Sequence, residues 1–369
     1  MRPSRREPSM FSVPKRKGKL LGCIQIEVSS RCFLSCTMCP RTALAGEWMS
    51  SDMPLDVFRR ISEHFHLAEV IYLSGWGEPL LNPNILRMAR MAKRADCLVG
   101  FTTNGVLLDE RTSQELIQLG LDVISISIAG ATRRTHNSIR VGSDLGRIMG
   151  NVKDLISLRR RAGSEEPKVI FLMLLLKQNI HELPAAVELA AEVGADGLVA
   201  TNLSYAASQA QDDMRTFSCP GEECRTTSYI EEAEEVARDL GLAFKAYPQE
   251  MEEAVVCDED PLNNIYISFD GRVAPCVYLN LPVEEFPRFF CGKKHLMKRF
   301  YFGDIREEDL PAVLEKKAYK DFRGSFLRRA AFLREALTFD LRALRDLRRI
   351  LEENPLPDPC RTCYKAYGI

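Results

Sequence analysis

From Leu21 to about Tyr247, short apolar runs alternate with segments whose apolar residues recur at helical spacing, and this alternation restricts the fold more than any other feature of the chain. The pattern predicts strands at residues 24–28, 69–73, 98–102, 123–128, 169–175 and 198–202, with a shorter run at 243–246. Helices are predicted between them at 54–66, 84–94, 110–119, 145–161, 180–193 and 228–240, several closed by glycine, as at Gly120 and Gly194. Six such βα units with right-handed crossovers make a partial or complete βα barrel, whose chemistry belongs at the C-terminal ends of the strands.

The chain has 369 residues, 46% of them hydrophobic, enough to fill a substantial core. Fifty basic residues stand against 51 acidic ones, so the global charge calls for neither nucleic acid nor an anionic membrane. Residues 1–20 are the exception. Arg2, Arg5, Arg6, Lys15, Arg16, Lys17 and Lys19, with three prolines among them, read as a flexible basic tail. That tail lacks the apolar core of a secretory signal, and no later stretch reaches the ~18 apolar residues of a membrane span. A cytoplasmic location is expected. Twelve cysteines in such a chain point to metal or redox chemistry rather than a disulfide framework.

Three of those cysteines, Cys32, Cys36 and Cys39, follow the first predicted strand. A cubane iron–sulfur cluster takes one thiolate per iron, so three clustered cysteines leave one iron open for something other than protein. A zinc site, or three unrelated buried thiols, is the alternative. Other strand ends carry ligand-friendly groups. Gly75-Trp76-Gly77-Glu78-Pro79 follows the second strand, Thr102-Thr103-Asn104-Gly105 ends the third, Ser127 lies in the fourth, and Arg140 comes after it.

With these elements the chain resembles the radical S-adenosylmethionine (SAM) superfamily. The resemblance implies an α/β fold built on a partial (β/α)6 TIM-like barrel. It gives Cys32, Cys36 and Cys39 a catalytic [4Fe-4S] cluster whose open iron is chelated by the amino and carboxylate groups of SAM. Reductive cleavage then yields a 5′-deoxyadenosyl radical. The cofactor-binding positions that match are Met38, Gly75, Trp76, Gly77, Glu78, Thr102, Thr103, Asn104, Ser127 and Arg140, the last as partner of the cofactor carboxylate. Residues 177–182, with His181, match the region that meets the adenine. The sequence departs from the family pattern where Trp76 separates the two glycines, where Met38 replaces a common aromatic residue, and where Ala129 replaces a common acid or amide.

Beyond about residue 247 the grammar changes. Cys257-x13-Gly271-x4-Cys276, followed by Cys360-x2-Cys363, resembles the start of the SPASM pattern in its shortened twitch form, which implies one auxiliary [4Fe-4S] cluster on Cys257, Cys276, Cys360 and Cys363. Asp270-Gly271 is a hairpin turn signal that would bring Cys257 and Cys276 together. A four-cysteine zinc ribbon is the alternative. The division expected is therefore a barrel at 21–247 and an auxiliary-cluster domain at 248–369, with an amphipathic helical insertion at about 311–354. Cys219, Cys224 and Cys291 are read as free or buried thiols, with ligation of something further as the other reading.

The function implied is hydrogen abstraction followed by oxidation or cross-linking of a peptide, protein or cofactor precursor, with the auxiliary cluster as electron acceptor. The partners implied are a peptide or small-molecule substrate and an electron donor such as flavodoxin or ferredoxin. Tyr278 and His181 are candidate proton carriers, although Val277 stands where some SPASM enzymes carry an Asp. Two other readings stay open. One is a radical epimerase or dehydrogenase acting on a sugar-like small molecule, with Cys219, Cys224 or Cys291 returning a hydrogen atom. The other is a two-cluster electron-transfer or scaffold protein.

Overall fold

A computed structural model describes residues 18–224, 226–339 and 351–369. Most of the basic tail and the centre of the expected helical insertion, residues 340–350, lie outside the described residues. Seven parallel strands run in chain order: β1 (Leu21–Ile26), β2 (Ala68–Tyr72), β3 (Leu98–Thr103), β4 (Val123–Ile128), β5 (Lys168–Leu175), β6 (Gly197–Asn202) and β7 (Ala243–Ala246). Short α1 (Pro40–Ala43) and α2 (Leu55–Ser62) follow β1, and α3 (Ile85–Arg94) and α4 (Glu110–Gln118) follow β2 and β3. α5 (Arg133–Ile139) and α6 (Leu145–Arg161) follow β4, α7 (Leu183–Val193) follows β5, and α8 (Gln209–Asp212) and α9 (Thr227–Leu240) follow β6.

α6 shows why these segments become helices. The Asp144 carboxylate accepts from the Arg147 N–H at 2.8 Å, satisfying a donor that the first turn leaves free. Leu145, Ile148, Met149, Val152, Leu155 and Ile156 then fall on one buried face. Each such side chain contributes roughly 1.5–3 kcal/mol by leaving water. Against them pack the buried residues of the strands, among them Phe101, Ile124, Ile126 and Phe171.

Three strands of the segment after residue 247 join the barrel's own sheet. β8 (Asn264–Ile267) pairs in parallel with β1, placing Cys23 opposite Asn264. β9 (Arg272–Ala274) folds back antiparallel on β8 around Gly271, whose φ of +87° suits glycine. β10 (Glu285–Phe290) and β11 (Lys293–Lys298) form a hairpin apart from the main sheet, and β12 (Gly303–Asp304) closes on β9. The resulting ten-stranded order is β12-β9-β8-β1-β2-β3-β4-β5-β6-β7. α10 (Leu310–Glu315) and α11 (Lys317–Phe339) begin the helical insertion. α11 is fastened by the fully buried Arg329 side chain, which donates to the Val255, Ala254 and Asn354 carbonyls and to Glu253.

One cysteine pair departs from expectation. Cys219 and Cys291 form a disulfide, because the turn after β10 presses Cys291 against the chain that follows β6. No helix among the described residues is long and apolar enough to cross a membrane.

Candidate functional site

The three N-terminal cysteines sit on the loop between β1 and α1, held from outside. Ser35 N–H donates to the Val141 carbonyl and Thr37 N–H to the Ile139 carbonyl, both at 2.9 Å, which clamps the loop to the end of α5. Arg41 donates to the Leu34 carbonyl within the loop. Gln211 on α8, almost fully buried, donates to the Thr37 and Cys39 carbonyls at 3.1 and 3.0 Å. Burial and the neighbouring Cys36 push the Cys39 thiol up to about 11, and burial raises Cys32 as well.

Gly75 and Gly77 are required by close packing against the end of β1. A Cβ on Gly75 would meet the Glu27 side chain at 2.4 Å, and one on Gly77 the Ser29 carbonyl at 2.3 Å. Trp76, the residue between them, links two halves of the molecule. Its N–H donates to Glu27 at 2.8 Å, and its indole N–H reaches the Val277 carbonyl at 3.2 Å, in the turn directly after Cys276. Its ring meets those of Trp48, Tyr205 and Tyr278 edge to face.

Glu78 turns inward to the protein. Its carboxylate accepts from the Thr103 hydroxyl at 2.6 Å, the Asn104 N–H at 2.8 Å and the Leu80 N–H at 3.1 Å, tying the end of β2 to the end of β3. Thr102 is engaged likewise, its hydroxyl 2.8 Å from the Tyr72 hydroxyl. Two groups on the same wall are left open. Asn104 Nδ2 and Arg140 Nε are buried with no hydrogen-bond partner among the described residues. An amide N–H and a guanidinium N–H facing a cavity suit a ligand with hydroxyl or carboxylate oxygens, as SAM has.

All of these elements open onto one cavity of about 380 Å³. Cys32, Cys36, Met38 and Cys39 line it together with residues 75–78, 102–104, Ser127 and Arg140, so the cofactor positions expected from sequence converge. Tyr278 lines it too, while His181 is exposed and lies outside it. Sequence reasoning passed over Tyr247, just after β7, and Asp258, Glu259 and Lys365 from the C-terminal segment, which line the same cavity. Their place depends on chain crossings hundreds of residues apart, and no local motif marks them. Gln211 escaped notice for the same reason.

The second cysteine set gathers behind the β8–β9 hairpin. The C-terminal turn is drawn in by the Ala254 N–H to Ala366 carbonyl bond and the Glu252 N–H to Tyr367 carbonyl bond. Burial, Glu259, Cys363, Cys360 and Cys257 together push the Cys276 thiol well up, and Cys257 is raised by burial, Cys360, Glu259 and Cys363. The four thiols are thus within reach of one another's charge. Among the described residues no three His, Cys, Asp or Glu side chains converge as a single ion would require. A cubane asks for something different, one thiolate on each of several irons, and either cysteine set could supply it.

Residues 26–190 match the family described as the Radical SAM superfamily, and residues 257–364 match SPASM, described as an iron-sulfur cluster-binding domain. The chain is similar to the tungsten-containing aldehyde ferredoxin oxidoreductase cofactor-modifying protein of Pyrococcus furiosus, with 27% identity over 305 residues, 81% of this chain and 82% of that protein. Among solved structures it is similar to Streptococcus suis SuiB bound to S-adenosylmethionine, with a TM-score of 0.57, 18% identity, and 83% of this chain and 68% of that one covered. SuiB has also been solved with its precursor peptide SuiA. The protein anSMEcpe with bound AdoMet gives a TM-score of 0.55 at 14% identity, covering 82% of this chain and 83% of that one. At these identities the structural likeness is one of fold.

Proposed function

We propose, the chain being a member of the radical SAM superfamily with a C-terminal SPASM iron–sulfur domain, that it oxidises or cross-links a peptide, protein or cofactor precursor. Its cofactors are S-adenosylmethionine and [4Fe-4S] clusters. S-adenosylmethionine and the first cluster, held in the cavity, would supply a 5′-deoxyadenosyl radical for hydrogen abstraction, and an auxiliary cluster beside the cavity would take up the substrate electron. Cys32, Cys36 and Cys39 are assigned to the first cluster, and Cys257, Cys276, Cys360 and Cys363 to the second.

The observation that carries this reading is the single cavity walled by both halves of the chain. The cysteine loop and the strand ends of β2 to β4 form one side. Glu259, Tyr278 and Lys365 come from segments adjoining the second cysteine set. Trp76 spans from one to the other through its bonds to Glu27 and the Val277 carbonyl. Arg140 and Asn104 orient the cofactor through their open donors, and Glu78 holds Asn104 and Thr103 in place for that task. Tyr278 is the proton carrier of choice, since it faces the cavity and His181 does not. The Pyrococcus relative's name favours maturation of a protein or cofactor precursor, and the SuiA complex keeps a peptide in the same class. An electron donor such as flavodoxin or ferredoxin completes the scheme.

Iron and acid-labile sulfide, counted after anaerobic reconstitution of the wild type and of a Cys32/Cys36/Cys39→Ala variant, test the assignment. About eight irons falling to about four are expected. About four falling to none would remove the auxiliary acceptor and the oxidative outcome with it. Release of 5′-deoxyadenosine on adding reductant and S-adenosylmethionine separates the enzyme from an electron-transfer protein.

A further inference from the structure

Lys365 stands in the turn Tyr364–Tyr367 and lines the shared cavity, yet only 6% of it is exposed. Its ammonium lies over the ring of Tyr247, 4.3 Å from the centroid. Glu259 is close enough to feel its charge, but among the described residues no carboxylate, carbonyl or hydroxyl makes an ion pair or hydrogen bond with it. Taking an ammonium out of water without such a partner costs several kcal/mol, and a tyrosine face returns only about 0.5–2 kcal/mol. A charge held this way is arranged for something that arrives.

The arriving group comes through the cavity that Lys365 lines. It has to be anionic, since an ammonium only donates. The other open cation on the cavity wall, Arg140, belongs to the cofactor end beside Asn104 and Glu78. Lys365 has no such assignment. Its neighbours at that end are Tyr247, Asp258 and Glu259, which offer a ring face and acceptors for hydroxyl or amine groups.

We propose that Lys365 anchors an anionic group of the substrate, a carboxylate or a phosphate, and so sets which molecules the cavity accepts. This inference rests on the cavity being the substrate site. The acidic neighbours make it selective. Asp258 and Glu259 repel a bare anion, so the group is held where Lys365 and Tyr247 meet and the rest of the molecule must offer donors to the carboxylates.

The test uses the full chain, reconstituted and saturated with S-adenosylmethionine, with acetate and inorganic phosphate as probes at an ionic strength fixed by sodium chloride. Thermal midpoints are compared for wild type, Lys365→Arg and Lys365→Met. A saturable rise of a few degrees in wild type and Lys365→Arg, absent in Lys365→Met, is expected. The probe that produces the rise tells carboxylate from phosphate. No rise in wild type, or an equal one in Lys365→Met, overturns the assignment. Because Lys365 neighbours Cys363, the methionine variant could lose its iron, and a second readout avoids mutation. In wild type, the probe slows reductive methylation of Lys365, mapped by mass spectrometry, by about tenfold near saturation and leaves exposed Lys294 unchanged. Equal labelling with and without probe overturns the proposal. Failure of the radical reading would show instead as missing 5′-deoxyadenosine in wild type, which neither readout measures.

Discussion

Glu27 is a carboxylic acid with no exposed surface, set where β1 ends against the glycines of residues 75–77. Burial pushes its carboxyl up to about 7, against the pull of the N–H groups of Trp76 and Phe269 that donate to it. The Tyr266 hydroxyl and the Arg299 guanidinium are the other groups whose charge or proton it feels. The native state therefore holds the Glu27 proton more tightly than the unfolded chain does. Stability contributed at low pH is lost as pH rises from about 4.5 to about 7, by up to about 3 kcal/mol. Glu27→Gln keeps an acceptor for Trp76 and cannot ionise. Chemical denaturation should find its stability flat between pH 5.5 and 8, and higher than wild type at pH 8; a variant that follows the wild-type slope would assign that slope to another group. Much of the site at this scale was legible. The three cysteines, the glycines and Asn104 are residue types that only a few chemistries use at such spacings. Lys365, Glu259 and Gln211 were not, because a buried polar or charged side chain is indistinguishable from a surface one until the chain is folded around it.

Among the elements, the β8–β9 hairpin is braced chiefly by one buried cation. The Arg299 side chain is fully buried and donates to both oxygens of Asp270 at 2.7 and 2.8 Å and to Asn280 at 2.9 Å, fixing the turn ahead of Cys276. Arg299→Met takes away the two short bonds of Asp270, leaving it the Ser268 hydroxyl and the more distant Arg272 at 3.5 Å, and should cost about 3 kcal/mol in a urea titration. The Asp270→Asn/Arg299→Met double variant should recover part of that loss, and a double variant no better than the single one would show that packing, not charge, is what Arg299 supplies. The βα alternation made β1 to β7 readable, because strands buried on both faces and helices buried on one leave different periods in the sequence. α5 was missed since only His136 and Ile139 of its seven residues are buried, too few to show a period. The β10–β11 hairpin was missed because Pro287 interrupts its first strand and its turn is Cys291-Gly292, both at positive φ, rather than an asparagine or aspartate followed by glycine.

At the scale of the whole molecule, the sequence suggested two domains joined near residue 248, and the sheet runs across that point. β8 supplies the outer neighbour of β1, and Trp76 reaches the Val277 carbonyl from the barrel side. A chain ending at residue 247 would leave one edge of β1 bare, with apolar side chains on either face. It should be recovered mainly as aggregate, measured as the soluble fraction after expression beside the full chain; a soluble, monomeric fragment would show that β1 tolerates an open flank. The pairing of β1 with β8 also has a consequence in time. The ribosome finishes β1 and delivers its neighbour about 240 residues later, on the order of tens of seconds at typical rates of synthesis. Through that interval the nascent barrel carries an unzipped seam beside the very loop that holds Cys32, Cys36 and Cys39, so a chaperone that shields the seam would also decide when iron can first be inserted.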